Sequence, residues 1–186
     1  GTSSSVMEPK KVSEVPINTV IRISTGFAEF DRVLGQEAKS GIVPGSVILL
    51  SGDPGVGKST ILLQTALNLA FQNKKILYVT GEESEAQVTM RAKRLLSKKD
   101  LKDASLYILA TSDIDAALLH AERESYDLVI IDSIQTMEGS NVPGYAGSIP
   151  QVRHATGRLV SFAKGTNIPV ILIGHVTKEG MVAGPQ

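Results

Sequence analysis

Short apolar runs, separated by stretches with helical spacing, make up most of the sequence from about residue 46 onward. Runs rich in branched aliphatic residues predict five strands, over residues 46–51, 76–80, 105–110, 128–132 and 170–174. These are continuous runs and not alternations of apolar and polar residues, a pattern typical of strands buried on both faces. We therefore predict five buried strands.

Apolar residues at helical spacing fill the intervals between the strands. Four apolar helix faces are predicted: Leu62, Ala66, Leu69 and Ala70; Val88, Ala92, Leu95 and Leu96; Ile114, Ala117, Leu118 and Ala121; Val152, Ala155, Leu159, Phe162 and Ala163. Ser112 or Asp113 is expected to cap the third helix, and a further short helix is predicted over residues 27–34. Strands that alternate with helices predict an α/β fold, a doubly wound, mainly parallel sheet flanked by helices.

Length and composition narrow the class of protein. A chain of 186 residues with 42% apolar residues suits one globular domain. We predict a flexible lead-in over residues 1–16 and a single domain over 17–186. The net charge of zero excludes a wholly basic surface, although not a local basic loop. The sequence has no cysteine for zinc sites and no apolar run near the roughly 20 residues of a membrane span.

A glycine-rich motif follows the first predicted strand and opens a predicted helix. It fits the pattern G-x-x-x-x-G-K-[ST] and comprises Gly52, Asp53, Pro54, Gly55, Val56, Gly57, Lys58 and Ser59. Such a loop directs backbone N–H groups at phosphate oxygens, which the helix N-terminus also attracts. We expect Lys58 to reach the β- and γ-phosphates of ATP or ADP, Ser59 to ligate Mg²⁺, and Thr60 to face the α-phosphate. The strand before the motif and the helix after it favour this interpretation over a ligand-free turn.

The fourth predicted strand ends in a carboxylate, Asp132. An acidic residue at a strand end is common. Ligands of doubly wound sheets, however, bind at the carboxyl ends of the strands, where the glycine-rich motif also lies. We therefore expect Asp132 to hold Mg²⁺, directly or through a water molecule.

Two carboxylates follow the second predicted strand, on the side of the sheet where phosphate is expected. Hydrolysis of ATP needs a group that orients or deprotonates the attacking water. Glu82 is the first choice for this base and Glu83 the second. The alternative is that both are favourable acidic residues at the N-terminus of the next helix.

Three histidines complete the candidate chemistry. His175 follows the last predicted strand, where it would either sense the γ-phosphate or merely cap the strand. His120 and His154 lie on predicted helices and are expected to be ordinary surface residues.

Several motifs together resemble the RadA (Sms) family of bacterial DNA repair and recombination ATPases. They are the glycine-rich motif with LLQT after it, residues 78–84 (YVTGEES), 131–137 (IDSIQTM) and 174–180 (GHVTKEG), and residues 147–153 around QVR. The last segments are more specific than the glycine-rich motif, which many unrelated nucleotide-binding proteins share. The resemblance extends from about residue 23 to residue 186.

The resemblance implies a RecA-like ATPase that uses ATP and Mg²⁺ to promote strand exchange or branch migration on single-stranded or branched DNA. It also implies a ring, hexameric in the family, that works in the cytoplasm at the nucleoid, and it gives Glu82 the catalytic role. Segments 135–150 and 176–186 correspond to the DNA-facing loops of RecA-like proteins. Lys178 lies in the second segment and Arg153 lies just after the first. Both are expected DNA-phosphate contacts, or else ordinary surface charges.

Some features of the family are not in this sequence. The zinc module before the core, the Lys-Asn-Arg-Phe-Gly motif and the Lon-like C-terminal domain are missing. We therefore expect nucleotide binding with slow hydrolysis, and a monomer in place of a ring. Two alternatives stay open: a RecA-like signalling ATPase that acts on protein partners, and a nucleotide-binding module with little turnover.

Overall fold

The computed structural model describes residues 8–14, 41–52 and 57–175. The predicted helix over residues 27–34, the predicted boundary between residues 16 and 17, and Lys178 lie outside these ranges. Among the described helices, none combines the length and the apolar character that a membrane span requires.

The described residues form one five-stranded sheet at the centre of the fold. Its strands are β1 (Val47–Gly52), β2 (Ile76–Thr80), β3 (Leu106–Ala110), β4 (Leu128–Asp132) and β5 (Val170–His175). They lie in the order β1-β5-β4-β2-β3, and every pairing is parallel. Each predicted strand is found within one residue of its predicted ends. The predicted fold class is therefore confirmed.

In the described part of the chain four α-helices connect and cover the strands: α1 (Lys58–Ala70), α2 (Glu85–Leu95), α3 (Ile114–Glu124) and α4 (Ile149–Thr166). Of the two residues predicted to cap α3, Asp113 is the cap, because its carboxylate accepts a hydrogen bond from the Ala116 N–H at 3.0 Å. Ser84 and Gln87 form a reciprocal capping box at the start of α2. Leu96, predicted on the apolar face of α2, is the extended residue that ends this helix.

The sheet separates two hydrophobic cores, which explains why the central strands are apolar without alternation. In β2, Leu77 and Val79 pack on the side of α3 and α4, whereas Ile76 and Tyr78 pack on the side of α1 and α2. The residues of β4 divide in the same way. Successive side chains of a strand point to opposite faces, so a strand covered on both faces needs apolar residues throughout.

The prediction of full burial is wrong for the two edge strands. Tyr107 in β3 is 50% exposed and Leu49 in β1 is 47% exposed. Among the described residues each of these strands has one neighbouring strand, since β1 pairs with β5 and β3 pairs with β2. Their aliphatic composition resembles that of the central strands, and the sequence pattern therefore did not distinguish edge from centre.

Candidate nucleotide-binding site

A cleft of about 420 Å³ opens at the carboxyl edge of the sheet. It lies between the start of α1 and the ends of β2, β4 and β5. The cleft brings together eight of the predicted site residues: Gly57, Lys58, Ser59, Thr60, Glu82, Glu83, Asp132 and His175. Thr80, Arg91 and Ile173, which the sequence analysis did not assign to the site, also line it.

The first turn of α1 forms one wall of the cleft. Gly57 precedes this helix with φ 77° and ψ 11°, a left-handed conformation that glycine adopts without strain. The first backbone N–H groups of a helix have no partner within the helix, and they attract anions. Asp53, Pro54, Gly55 and Val56 lie outside the described residues. Gly52 ends β1 and lies opposite His175 in the parallel register.

Lys58 extends from this helix start toward the end of β5. Its Nζ atom lies 3.4 Å from the Gly174 carbonyl oxygen, to which it donates a long hydrogen bond. The ammonium group therefore lies within the cleft, near the backbone of the neighbouring strand.

Ser59 and Asp132 meet at the centre of the cleft. The Ser59 hydroxyl donates to Asp132 Oδ2 at 2.8 Å, and the Tyr78 hydroxyl donates to the same oxygen at 2.5 Å. Burial, together with the adjacent Asp132 carboxylate, raises the pKa of Tyr78 well above its usual value. Tyr78 therefore stays protonated and continues to donate. Its signal in the sequence was an aromatic residue with a hydroxyl inside the apolar run of a central strand.

The Ser59 and Asp132 oxygens suit a hard divalent cation. Mg²⁺ prefers hydroxyl and carboxylate oxygens, and it usually takes few protein ligands beside water and phosphate oxygens. The donor atoms present thus fit Mg²⁺. When bound, this ion would neutralise phosphate charge.

The two glutamates after β2 occupy different surroundings. The Glu83 carboxylate forms an ion pair with Arg91 of α2, and the Glu83 N–H donates to Thr80 Oγ1 at 3.1 Å. The Glu82 side chain is exposed and makes no hydrogen bond or ion pair with the parts of the chain that the structure describes. Glu82 is therefore the carboxylate with its oxygens available to water.

Arg91 was missed as a site residue. Its Nη2 atom donates to Ser59 Oγ at 2.6 Å, in addition to its pairing with Glu83. Arg91 precedes Ala92 and follows Val88 by three positions, so it lies beside the buried face of α2. A charged residue next to the predicted apolar face was the signal that could have identified it.

His175 is anchored by its backbone. The Gln135 amide accepts from the His175 N–H at 3.2 Å and donates to the His175 carbonyl at 3.3 Å. The His175 Nδ1 atom is buried without a hydrogen-bond partner among the described residues. A buried ring nitrogen without a partner among these residues is able to form a hydrogen bond with a polar ligand in the cleft.

The segment after β4 is organised around Gln151, which is 2% exposed. Its side chain accepts from the Gly139 N–H at 2.9 Å and donates to the carbonyls of Val142 and Gly144 at 3.0 and 2.9 Å. Arg153, a predicted DNA contact in α4, is exposed and does not line the cleft.

Two histidines expected on the surface have partners. His154 is 27% exposed and pairs with Asp115, which also accepts from Arg158 Nε at 2.9 Å. His120 shares a hydrogen bond of 2.7 Å with the Tyr126 hydroxyl. The expectation that both are ordinary surface residues is therefore wrong, because α3 packs against α4 and Tyr126 lies between the end of α3 and the start of β4.

Comparison with known proteins agrees with this architecture. A family model described as an AAA domain matches residues 36–181. The chain belongs to this AAA domain family. This match includes the described cleft and every strand of the sheet.

The curated relatives are bacterial proteins named DNA repair protein RadA. The relative from Salmonella typhimurium is 47% identical over 184 residues, which is 99% of this chain and 38% of that protein. The relative from Listeria monocytogenes is 44% identical and covers 96% of the chain, and one from Mycobacterium tuberculosis is 45% identical and covers 94%. The resemblance to the RadA family is therefore confirmed. The chain spans about 38% of the length of the first of these relatives.

Proposed function

We propose that this chain binds ATP with Mg²⁺ and hydrolyses it, as the ATPase core of a RadA-type protein in DNA repair and recombination. The observation that carries the proposal is the Ser59–Asp132 hydrogen bond of 2.8 Å, which joins the helix start after the glycine-rich motif to the end of β4. The relatives named for DNA repair support the biological role.

In this proposal the glycine-rich motif and α1 bind the phosphates. Backbone N–H groups of the motif and of the first turn of α1 donate to the phosphate oxygens, and Lys58 moves from the Gly174 carbonyl to the β- and γ-phosphates. A phosphate oxygen is a stronger acceptor for an ammonium group than a carbonyl at 3.4 Å. Ser59 and Asp132 hold Mg²⁺, and His175 responds to the γ-phosphate.

Glu82 serves as the general base in the hydrolysis step. It accepts a proton from water while the water oxygen forms a bond to the γ-phosphorus. The bond between that phosphorus and the β–γ bridging oxygen breaks, and ADP leaves with the electron pair. Glu83 is the second choice, because its carboxylate is engaged by Arg91.

DNA is the proposed partner, and a homo-oligomeric ring is the proposed assembly of the full-length protein. Arg153 and Lys178 would contact DNA phosphates, and the protein would act at the nucleoid in the cytoplasm. A protein partner is the second candidate, and the net charge of zero favours it. DNA is nevertheless the preferred partner, because contacts to DNA phosphates can be confined to a few loop residues.

The test combines equilibrium binding of ATP and ADP with steady-state turnover, each with and without Mg²⁺ and single-stranded DNA. Mg²⁺-dependent binding with DNA-stimulated turnover is expected. A Lys178→Ala variant should lose the stimulation and keep nucleotide binding, and Lys164→Ala in the last turn of α4 is a control. Nucleotide binding without any effect of DNA would support a protein partner, and absence of nucleotide binding would refute the proposal.

A further inference from the structure

Arg91 joins two functional parts of the cleft. From α2 its guanidinium donates through Nη2 to Ser59 Oγ at 2.6 Å and through Nη1 to the Glu83 carboxylate. The side chains of Arg91 and Glu83 are 25% and 27% exposed, so neither contact is a freely solvated surface pair. Arg91 therefore connects the proposed metal ligand Ser59 to the glutamate segment.

The Ser59 hydroxyl has little capacity left in this arrangement. A hydroxyl offers one proton and two lone pairs. The proton is directed at Asp132 Oδ2 at 2.8 Å, and one lone pair accepts from Arg91. The second lone pair of Ser59 Oγ faces the Tyr78 hydroxyl oxygen at 3.0 Å. The proton of the Tyr78 hydroxyl is directed at Asp132.

A metal ion on the same oxygen would meet the guanidinium at close range. Mg²⁺ binds oxygen at about 2.1 Å, whereas Arg91 Nη2 lies 2.6 Å from Ser59 Oγ. Two cationic groups on one oxygen at these distances are separated by less than about 5 Å, a range in which like charges repel strongly. Arg91 and Mg²⁺ therefore cannot both be held well by Ser59.

We propose that Arg91 is a positioning residue that competes with Mg²⁺ for the Ser59 hydroxyl. When the metal binds together with the nucleotide, the guanidinium leaves Ser59 and keeps its ion pair with Glu83. This exchange makes metal binding depend on the phosphates, and it keeps Glu83 paired while Glu82 remains available. The inference rests on the proposed function, because it takes Ser59 as a ligand of Mg²⁺.

The direct test is the Mg²⁺ affinity of the complex with ADP, measured by calorimetric titration of the metal at saturating ADP. Arg91→Ala should raise this affinity about three- to tenfold, since it removes a charge-assisted hydrogen bond that the metal must displace. Arg94→Ala is the matched control, because Arg94 is an exposed arginine of the same helix. If Arg91→Ala lowers stability, Arg91→Met keeps the aliphatic stem and removes only the donors.

A second measurement separates competition for Ser59 from a general effect of charge. In a Ser59→Ala background the shared oxygen is missing. Adding Arg91→Ala should therefore change the Mg²⁺ affinity less than twofold, which is less than about RT ln 2 in binding free energy. An equal gain in Mg²⁺ affinity from Arg91→Ala, with and without the Ser59 hydroxyl, would overturn the inference. If the wild type binds ADP and its complex has the same Mg²⁺ affinity as that of Arg91→Ala, the inference alone is overturned. A chain that binds no ADP would overturn the proposed function as well.

Discussion

The Ser59 hydroxyl donates a hydrogen bond of 2.8 Å to Asp132 Oδ2, across 73 positions of the sequence. Parallel pairing produces this contact. Asp132 lies opposite Thr80 on one side and Ile173 on the other, so the ends of three strands meet at one edge of the sheet. The start of α1 lies above that edge, and its hydroxyl is thereby brought to the carboxylate.

Removal of the Lys58 ammonium should weaken nucleotide binding. We expect Lys58→Ala to lower ADP affinity by about tenfold or more, because a charge-assisted contact to phosphate is lost. Calorimetry or a fluorescent ADP analogue measures the effect. Lys93→Ala, at an exposed lysine of α2, should leave the affinity unchanged. Equal affinities in all three proteins would mean that the cleft does not bind phosphate through Lys58.

The two glutamates should differ in their effect on turnover. Glu82→Gln is expected to retain ATP binding and lower the rate of hydrolysis by about 100-fold, the range of a lost general base. Glu83→Gln should cost less than about tenfold, because Glu83 is paired with Arg91. Single-turnover assays suit a slow enzyme. The opposite ranking would identify Glu83 as the base.

Gln151 should control the order of the segment after β4. Gln151→Leu keeps the size of the side chain and leaves the Gly139 N–H and the Val142 and Gly144 carbonyls without their partner. We expect a loss of about 1–3 kcal/mol in unfolding free energy and faster hydrogen exchange at the Gly139 amide. Gln72→Leu, at an exposed position, is the control. Unchanged exchange at Gly139 would show that the segment is held by other contacts.

Asp115 should contribute stability that depends on pH. Partial burial acts against its ionisation, but hydrogen bonds from Arg158 and His154 outweigh it and lower the pKa of Asp115 below its usual value. A carboxyl with a lowered pKa stabilises the fold above its unfolded pKa of about 3.9, and this contribution is lost as the pH falls through the folded pKa.

The corresponding experiment compares wild type with Asp115→Asn by urea unfolding at several pH values. The variant should be less stable by up to about 1 kcal/mol at pH 7, as for partly exposed ion pairs. The difference should shrink below about pH 4 as the wild-type carboxyl is protonated. Glu122→Gln on the same helix should show no such difference. A constant difference down to low pH would exclude the ionised carboxylate as its source.

Two glycines near the α4 helix should respond in opposite directions to alanine. A Cβ at Gly157 meets nothing within 4 Å, so Gly157→Ala should raise the unfolding free energy by about 0.5–1 kcal/mol. A Cβ at Gly139 would lie 2.2 Å from the His154 ring, so Gly139→Ala should destabilise the fold. Thermal unfolding of both variants checks the pair, and two shifts of the same sign would contradict the described packing.

The central part of the fold was predictable because it follows from local pattern. Strands β2 and β4 are continuous apolar runs up to their last residue, and Gly57, Lys58 and Ser59 line the same cleft as Asp132, as the strand-end rule requires. Arg91 was not predictable to the same degree. Arg91, Lys93 and Arg94 are similar charges on one helix, and the packing of α2 against the sheet decides which of them enters the cleft.

The side-chain amide of Gln135 holds both backbone groups of His175, as a neighbouring strand would. Gln135 is the first residue of the predicted DNA-facing segment 135–150, between β4 and α4, and His175 is the last residue of β5. The two predicted DNA-facing segments thus depart from one shared anchor at the wall of the cleft. A displacement of Gln135 is therefore transmitted to the end of β5 through this pair of hydrogen bonds, and a displacement of His175 is transmitted to the segment after β4. If the proposed DNA contacts form, a displacement of either segment would reach the other segment, and the cleft that His175 lines, through this amide.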